Sequence, residues 1–250
     1  MTTAGSSPSG HFDISGIFSE ATDTWKKAFS TIWIIALIFL VPVAILGYFA
    51  DKSMIINLIY SLASLVAFLY IQGAFARVVQ DVREDGKVDW SVGELIKSIN
   101  PRLLPLLGLS IVTGILIFIG FIFLIIPGII LSLIWFVAVP VLIIEDKGVF
   151  ESMSRSGELT KHNRWRLLGL SILIYIAVFV VFIIAGLIAA AVPILGVFVF
   201  VFLAVLIYPW IAVIVPTVYY ALLGAHGQGS MGMPAPGTAH PGGEPPAPAA

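Results

Sequence analysis

Charge is absent from four long stretches of this chain, and that absence constrains the fold more than any motif. No Asp, Glu, Lys or Arg lies between Lys27 and Asp51, between Lys52 and Arg77, between Arg102 and Glu145, or between Arg166 and Glu244. A helix of roughly 20 apolar residues crosses a bilayer core of about 30 Å. The first two stretches hold one span each and the last two hold a pair each. The expected spans are about 31–50, 54–76, 103–126, 128–145, 167–190 and 194–223. The fold class is therefore all-α, a polytopic membrane bundle of six helices.

Composition agrees: 59% of the chain is hydrophobic and 11% charged, against about 25% charged in soluble domains. A net charge of −1 gives no global attraction to nucleic acid, so the bilayer is the first partner. With no cysteine, disulfides and thiolate chemistry are excluded. The opening residues lack a basic segment followed by an apolar core, so the first span is expected to serve as an uncleaved insertion signal.

Pro127-Gly128 and Pro193 are expected to make tight reversals at the far membrane face. Pro209 and Pro216 should kink the last span, or it should tilt or project beyond the membrane. Twelve of the thirteen basic residues lie before the first span, between the second and third, or between the fourth and fifth; Lys52 alone lies opposite. The positive-inside rule places both termini and both long loops in the cytoplasm, in a cell or bacterial inner membrane. Residues 1–11 and the Gly/Pro/Ala-rich 225–250 should be disordered, leaving 12–224 as the membrane domain.

Each pair of spans follows a short amphipathic segment. In the first, Ile14, Ile17, Phe18, Ala21, Trp25, Ala28 and Phe29 recur at helical spacing. The second, about Ser91 to Ile99, opens on a Ser91/Glu94 capping box, with Val92, Leu95, Ile96 and Ile99 on one face. The third runs from Val149 to about Thr160, with Phe150, Met153 and Gly157 on one side. Helices of this type lie in the headgroup region, apolar face down. Leu106-Leu107-Gly108-Leu109-Ser110-Ile111 recurs letter for letter as Leu167-Leu168-Gly169-Leu170-Ser171-Ile172. The chain thus reads as three repeats of an interfacial helix plus a helical hairpin.

Between Pro127 and Arg166, Pro127-Gly128-Ile129-Ile130, Pro140-Val141, Glu145, Gly148-Val149-Phe150, Arg155-Ser156, Leu159-Thr160 and Trp165 follow one another. This run resembles the membrane domain found with bacterial glycerophosphodiester phosphodiesterases and the related YciC-type inner-membrane proteins. Thr217-Val218-Tyr219-Tyr220 is similar to that family's terminal stretch, although Ala221-Leu222-Leu223-Gly224 follows where polar and basic residues are usual. The resemblance implies a six-helix membrane domain. It brings no phosphodiesterase activity, because the soluble catalytic domain has no counterpart here.

The span interiors carry no ionisable group of the kind that marks ion pathways. Asn57, Ser61 and Ser64 share one helical face and read as a packing stripe or as the lining of a polar path. Glu145 and Arg155 are expected to pair and tie the third interfacial helix to the bundle. Arg155, Lys161, Arg164 and Arg166 are the candidates for holding an anionic lipid headgroup. No histidine belongs to a metal motif, and neither a cofactor nor a catalytic grouping is visible. The expected function is non-enzymatic: organising or assisting a membrane-protein partner or a lipid process at the cytoplasmic face. The alternative is a transporter or lipid conduit with a neutral polar path.

Overall fold

The computed structural model describes residues 13–225, apart from the side chains of residues 189, 193–206 and 208. The expected disorder of the two termini therefore lies outside the described residues, Ala225 excepted. Among the described residues every regular element is helical: α1 (Ile14–Lys27), α2 (Phe29–Ala50), α3 (Met54–Asp85), α4 (Val92–Ile99), a 3-10 turn (Asn100–Arg102), α5 (Leu103–Phe123), α6 (Ile125–Ile134), α7 (Ala138–Ile144), α8 (Val149–Thr160), α9 (Arg164–Ala191) and α10 (Pro193–Ala225). Five apolar stretches are long enough to cross a membrane: α2, α3, α4–α5, α6–α7 and α9. The segment Pro209–Ala225 of α10 is a further, shorter apolar helix. This is an all-α polytopic membrane bundle.

Helix pairs α2/α3, α5/α6 and α9/α10 pack as antiparallel hairpins, and α1, α4 and α8 precede them in turn. The repeated hexapeptide occupies the same register in two of them. Leu106 is the fourth residue of α5 and Leu167 the fourth of α9. In both copies the first and fourth letters are buried (Leu106 and Leu109, Leu167 and Leu170) and the last, Ile111 or Ile172, is exposed.

Burial is uneven along the helices. In α2, Ile32, Ile35 and Ala36 are buried, and then nothing until Ala50. In α3 no residue before Ala67 is buried, whereas almost every position from Ile71 to Val82 is. The main core joins these inner halves to α1, α4, α7, α8 and the C-terminal part of α10 around Phe75, Val79, Leu95, Val141, Leu159 and Tyr219. This is the end at which the charged residues gather; the outer halves present apolar side chains to the surroundings.

Four expectations are corrected. The second span does not stop at residue 76: α3 has 32 residues, about 48 Å at 1.5 Å per residue, and carries Arg77 to Asp85 beyond the apolar stretch. It ends at Gly86, whose φ of 79° is the left-handed conformation glycine adopts freely. Pro127-Gly128 is not the reversal. The chain turns at Leu124, which is extended, and Pro127 is the third residue of α6. There its missing N–H falls among first-turn donors that have no intrahelical acceptor anyway. Gly128 instead permits close helix approach, since a Cβ there would sit 2.5 Å from Phe121 Cγ.

The fourth span is not continuous. Pro140 is the third residue of α7, so it can neither donate to the carbonyl of residue 136 nor tolerate it at helical distance. The helix breaks at 135–137, and the Ala138 amide donates to Trp135 O instead of Ile134 O. Finally, the apolar faces of α1 and α4 are not turned to lipid. Ile17 and Ala21 of α1, Ala28 just after it, and Leu95 and Ile99 of α4, are buried inside the bundle, because α1 lies against α10, α2 and α3 and α4 against α3 and α2. In α8 the buried side is Ser152, Met153, Ser156, Leu159 and Thr160, while Phe150 is exposed.

The α5/α6 contact gives a direct test. Replacing Gly128 by Val should overpack the Phe121 contact and lower stability by about 1–3 kcal/mol, read as a lower melting temperature of the detergent-purified protein. Gly114→Val, where a Cβ would meet nothing within 4 Å, should change it much less.

Candidate functional site

The polar chemistry collects at the charged end of the bundle, and the break in the fourth span explains part of its geometry. The Ile134 carbonyl, released from its helix, accepts hydrogen bonds from Ser156 Oγ at 2.8 Å and Thr160 Oγ1 at 3.3 Å. An unsatisfied carbonyl in an apolar surrounding is expensive, so α8 must dock here. Gly157 lies against the same residue, with Ile134 Cγ2 3.4 Å from where its Cβ would stand. Docking α8 brings Arg155 to Glu145 at the end of α7.

Glu145 is the hub. Its carboxylate accepts from Arg155 Nε at 3.4 Å and from the Tyr219 hydroxyl at 3.0 Å, and pairs with Lys147 Nζ at 2.8 Å. Its side chain is 11% exposed, so three helical elements, α7, α8 and α10, meet on one nearly enclosed carboxylate. Arg155 also reaches Glu158 at 3.3 Å. Beside the hub, Asp146 adopts a positive φ of 54°, which a short polar side chain tolerates better than most. Its carboxylate pairs with Arg102 Nη2 at 2.7 Å, tying the entry of α5 to the exit of α7.

The projecting end of α3 has its own network. Arg77 donates to Gln80 at 2.7 Å, and Gln80 donates to Glu84 at 2.9 Å. Buried Asp81 accepts from the Asp89 and Trp90 amides, so it fixes the α3–α4 loop. Arg83 bonds to Glu20 of α1 at 2.6 Å and lies 4.5 Å over the Tyr220 ring of α10. The Trp210 indole donates to Thr22 of α1 at 3.1 Å. At the chain entry to α1, hydrogen bonds from Ser15 and Gly16 hold the Asp13 carboxyl below its usual range.

Glu145 and Arg155 are thus together, but the four basic residues do not converge on a single headgroup site. Arg155 is drawn to Glu145 and Glu158, Lys161 is exposed, and Arg164 lines a groove between α6 and α9. Arg166 is exposed two residues further along. The Asn57/Ser61/Ser64 stripe neither lines an interior path nor bonds across helices. Asn57 and Ser61 are exposed, and the two hydroxyls donate to carbonyls of their own helix, Asn57 O and Tyr60 O. Among the described residues no group of three or more His, Asp or Glu could hold a metal ion.

Sequence reasoning missed Tyr219, Asp81, the Glu20–Arg83 pair and the Arg102–Asp146 pair. Two adjacent phenols in an otherwise apolar helix end were a usable signal for the first, since a buried Tyr hydroxyl seeks a polar partner. The pairs join residues 63 and 44 positions apart and left no local trace.

Helix content and apolar length define the class: a multi-pass helical membrane protein. Within that class the chain belongs to the family of the domain of unknown function DUF7847, whose profile matches residues 91–226. The match begins at the Ser91 cap of α4 and takes in α5 to α10. No curated protein and no solved structure matches the chain.

The capped carbonyl predicts non-additive variants. Ser156→Ala alone should be cheap, because Thr160 remains in reach. The double variant Ser156→Ala/Thr160→Ala strands the Ile134 carbonyl and should lower stability by about 1–3 kcal/mol, measured by thermal unfolding in detergent. At the hub, Tyr219→Phe should cost about 1 kcal/mol and Glu145→Gln more, with the pair of changes together costing less than their sum in a double-mutant cycle.

Proposed function

We propose that the chain is a non-enzymatic protein of a bacterial-type inner membrane, with its charged end and both termini in the cytoplasm, that organises or assists a partner or a lipid process there. The observation that carries this reading is the concentration of polar structure at one end. Every described ion pair lies at that end, whereas the described charged residues at the opposite end are those of the short Asp51-Lys52 turn. A surface for recognition therefore exists on one side of the membrane. The Lys/Arg asymmetry supports placing that side in the cytoplasm.

The non-enzymatic reading rests on what the polar groups are used for. Glu145, Arg155, Asp146 and Arg102 are consumed in mutual pairs that hold helices together. A general acid or base needs a group within reach of a bound substrate, and these face one another. The outward-facing Asn57 and Ser61 give the conduit reading no support. The shared register of the two hexapeptide copies supports an origin by repetition of one helix-plus-hairpin unit.

The absence of native cysteine makes sidedness easy to measure. A membrane-impermeant maleimide applied to intact cells should label Lys52→Cys and spare Lys161→Cys, and inverted vesicles should give the reverse. The opposite pattern would overturn the orientation. Protein reconstituted into vesicles should leave their lipids chemically unchanged; turnover that disappears in Glu145→Gln would overturn the non-enzymatic reading.

A further inference from the structure

The groove between α6 and α9 combines an apolar wall with a cation that has no ion-pair partner among the described residues. Its volume is about 520 Å³, and six of its eight lining residues are Ile or Leu. On α6 it runs from Ile126 to Leu133, about 10 Å at 1.5 Å per residue; on α9 it runs from Arg164 to Ile172. Arg164 is the first residue of α9. Its Nε is buried without a hydrogen-bond partner, and it forms no ion pair with any described residue. Trp165 beside it is 84% exposed, as suits a ring anchored at a membrane interface.

A guanidinium stays charged at any physiological pH. Held at the mouth of an apolar groove with no carboxylate paired to it among the described residues, it calls for a further anion. A free inorganic anion would gain the charge contact but nothing from the aliphatic wall. A phospholipid would gain both, since basic pockets at the membrane interface bind anionic headgroups and an acyl chain suits Ile and Leu. We propose that this groove is an anionic-phospholipid site, with the lipid phosphate on Arg164 and one acyl chain along Leu133, Ile129, Leu168 and Ile172. The inference deepens the reading of a lipid process and rests on it for the choice of leaflet alone.

The test is a titration of the full-length, detergent-purified protein with phosphatidylglycerol, phosphatidylcholine or inorganic phosphate, followed by melting temperature and by native mass spectrometry of retained lipid. Phosphatidylglycerol should raise the melting temperature and be retained, phosphatidylcholine should do so weakly, and inorganic phosphate should do nothing. Arg164→Gln should weaken phosphatidylglycerol about tenfold or more, the loss of one charge-assisted contact, and remove the preference over phosphatidylcholine. Arg164→Lys should restore part of it. Ile172→Trp, which narrows the groove from an exposed position, should reduce retention of both lipids while the ligand-free melt stays close to wild type. Ile129→Trp serves if that variant does not fold.

An unchanged phosphatidylglycerol preference in Arg164→Gln would overturn the headgroup assignment. Inorganic phosphate reproducing the full shift would overturn the acyl-chain assignment and leave an anion site. Because detergent solution has no sidedness, a failure here leaves the labelling result for orientation intact, and a reversed orientation leaves this titration intact.

Discussion

One carbonyl organises the heart of this bundle. Pro140 forbids a continuous fourth span, and the break strands Ile134 O where lipid offers no donor. Ser156 and Thr160 answer it from α8, which fixes the depth and rotation of that helix. With α8 set, Arg155 meets Glu145, and Tyr219 closes the same carboxylate from α10. A loss of backbone hydrogen bonding is thereby turned into a junction of three elements. Gly157 faces Ile134 across this junction, where a Cβ would already lie in van der Waals contact with Ile134 Cγ2 at 3.4 Å.

The charge gaps in the sequence were enough to find the class of fold and the limits of α2, since lipid penalises charge far more strongly than propensity shapes helix ends. The hexapeptide likewise announced two helices in matching register, and the matching burial of Leu106/Leu109 and Leu167/Leu170 followed. What stayed hidden depended on neighbours. Whether Pro127 and Pro140 turn, start or break a helix is decided by where their missing amides fall within a helical turn. Phe150 lay on the apolar side of α8 by periodicity, but the neighbouring helix offered a bare carbonyl, so the hydroxyl-bearing side turned inward instead. Arg77 to Asp85 looked like loop because they are charged; long-range partners in α1, α4 and α10 keep them helical. The Glu145–Arg155 pair was legible because both ends lie in one short segment, and the gathering of Arg155, Lys161, Arg164 and Arg166 was not, because carboxylates compete for the first of them.

The family profile begins at Ser91, yet α1 and the inner half of α3 supply Ile17, Ala21, Phe75, Val78 and Val79 to the core that residues 91–226 complete. The ion pair from Glu20 to Arg83, stacked on Tyr220, joins the segment before the match to the last helix within it. The matched portion and the preceding helices thus form a single packing unit at the charged end.

That packing unit stops roughly halfway along the helices. Beyond Ala36 in α2 and before Ala67 in α3 most side chains are exposed, and the two helices meet at points such as Gly47, whose Cβ position lies 3.1 Å from the Tyr60 ring. The outer half of the α2/α3 hairpin therefore has a small buried interface, and the ion-paired end carries most of its tertiary packing. Elements with few buried contacts are the less stable part of a fold, so the outer end of this hairpin gives way before the hub does.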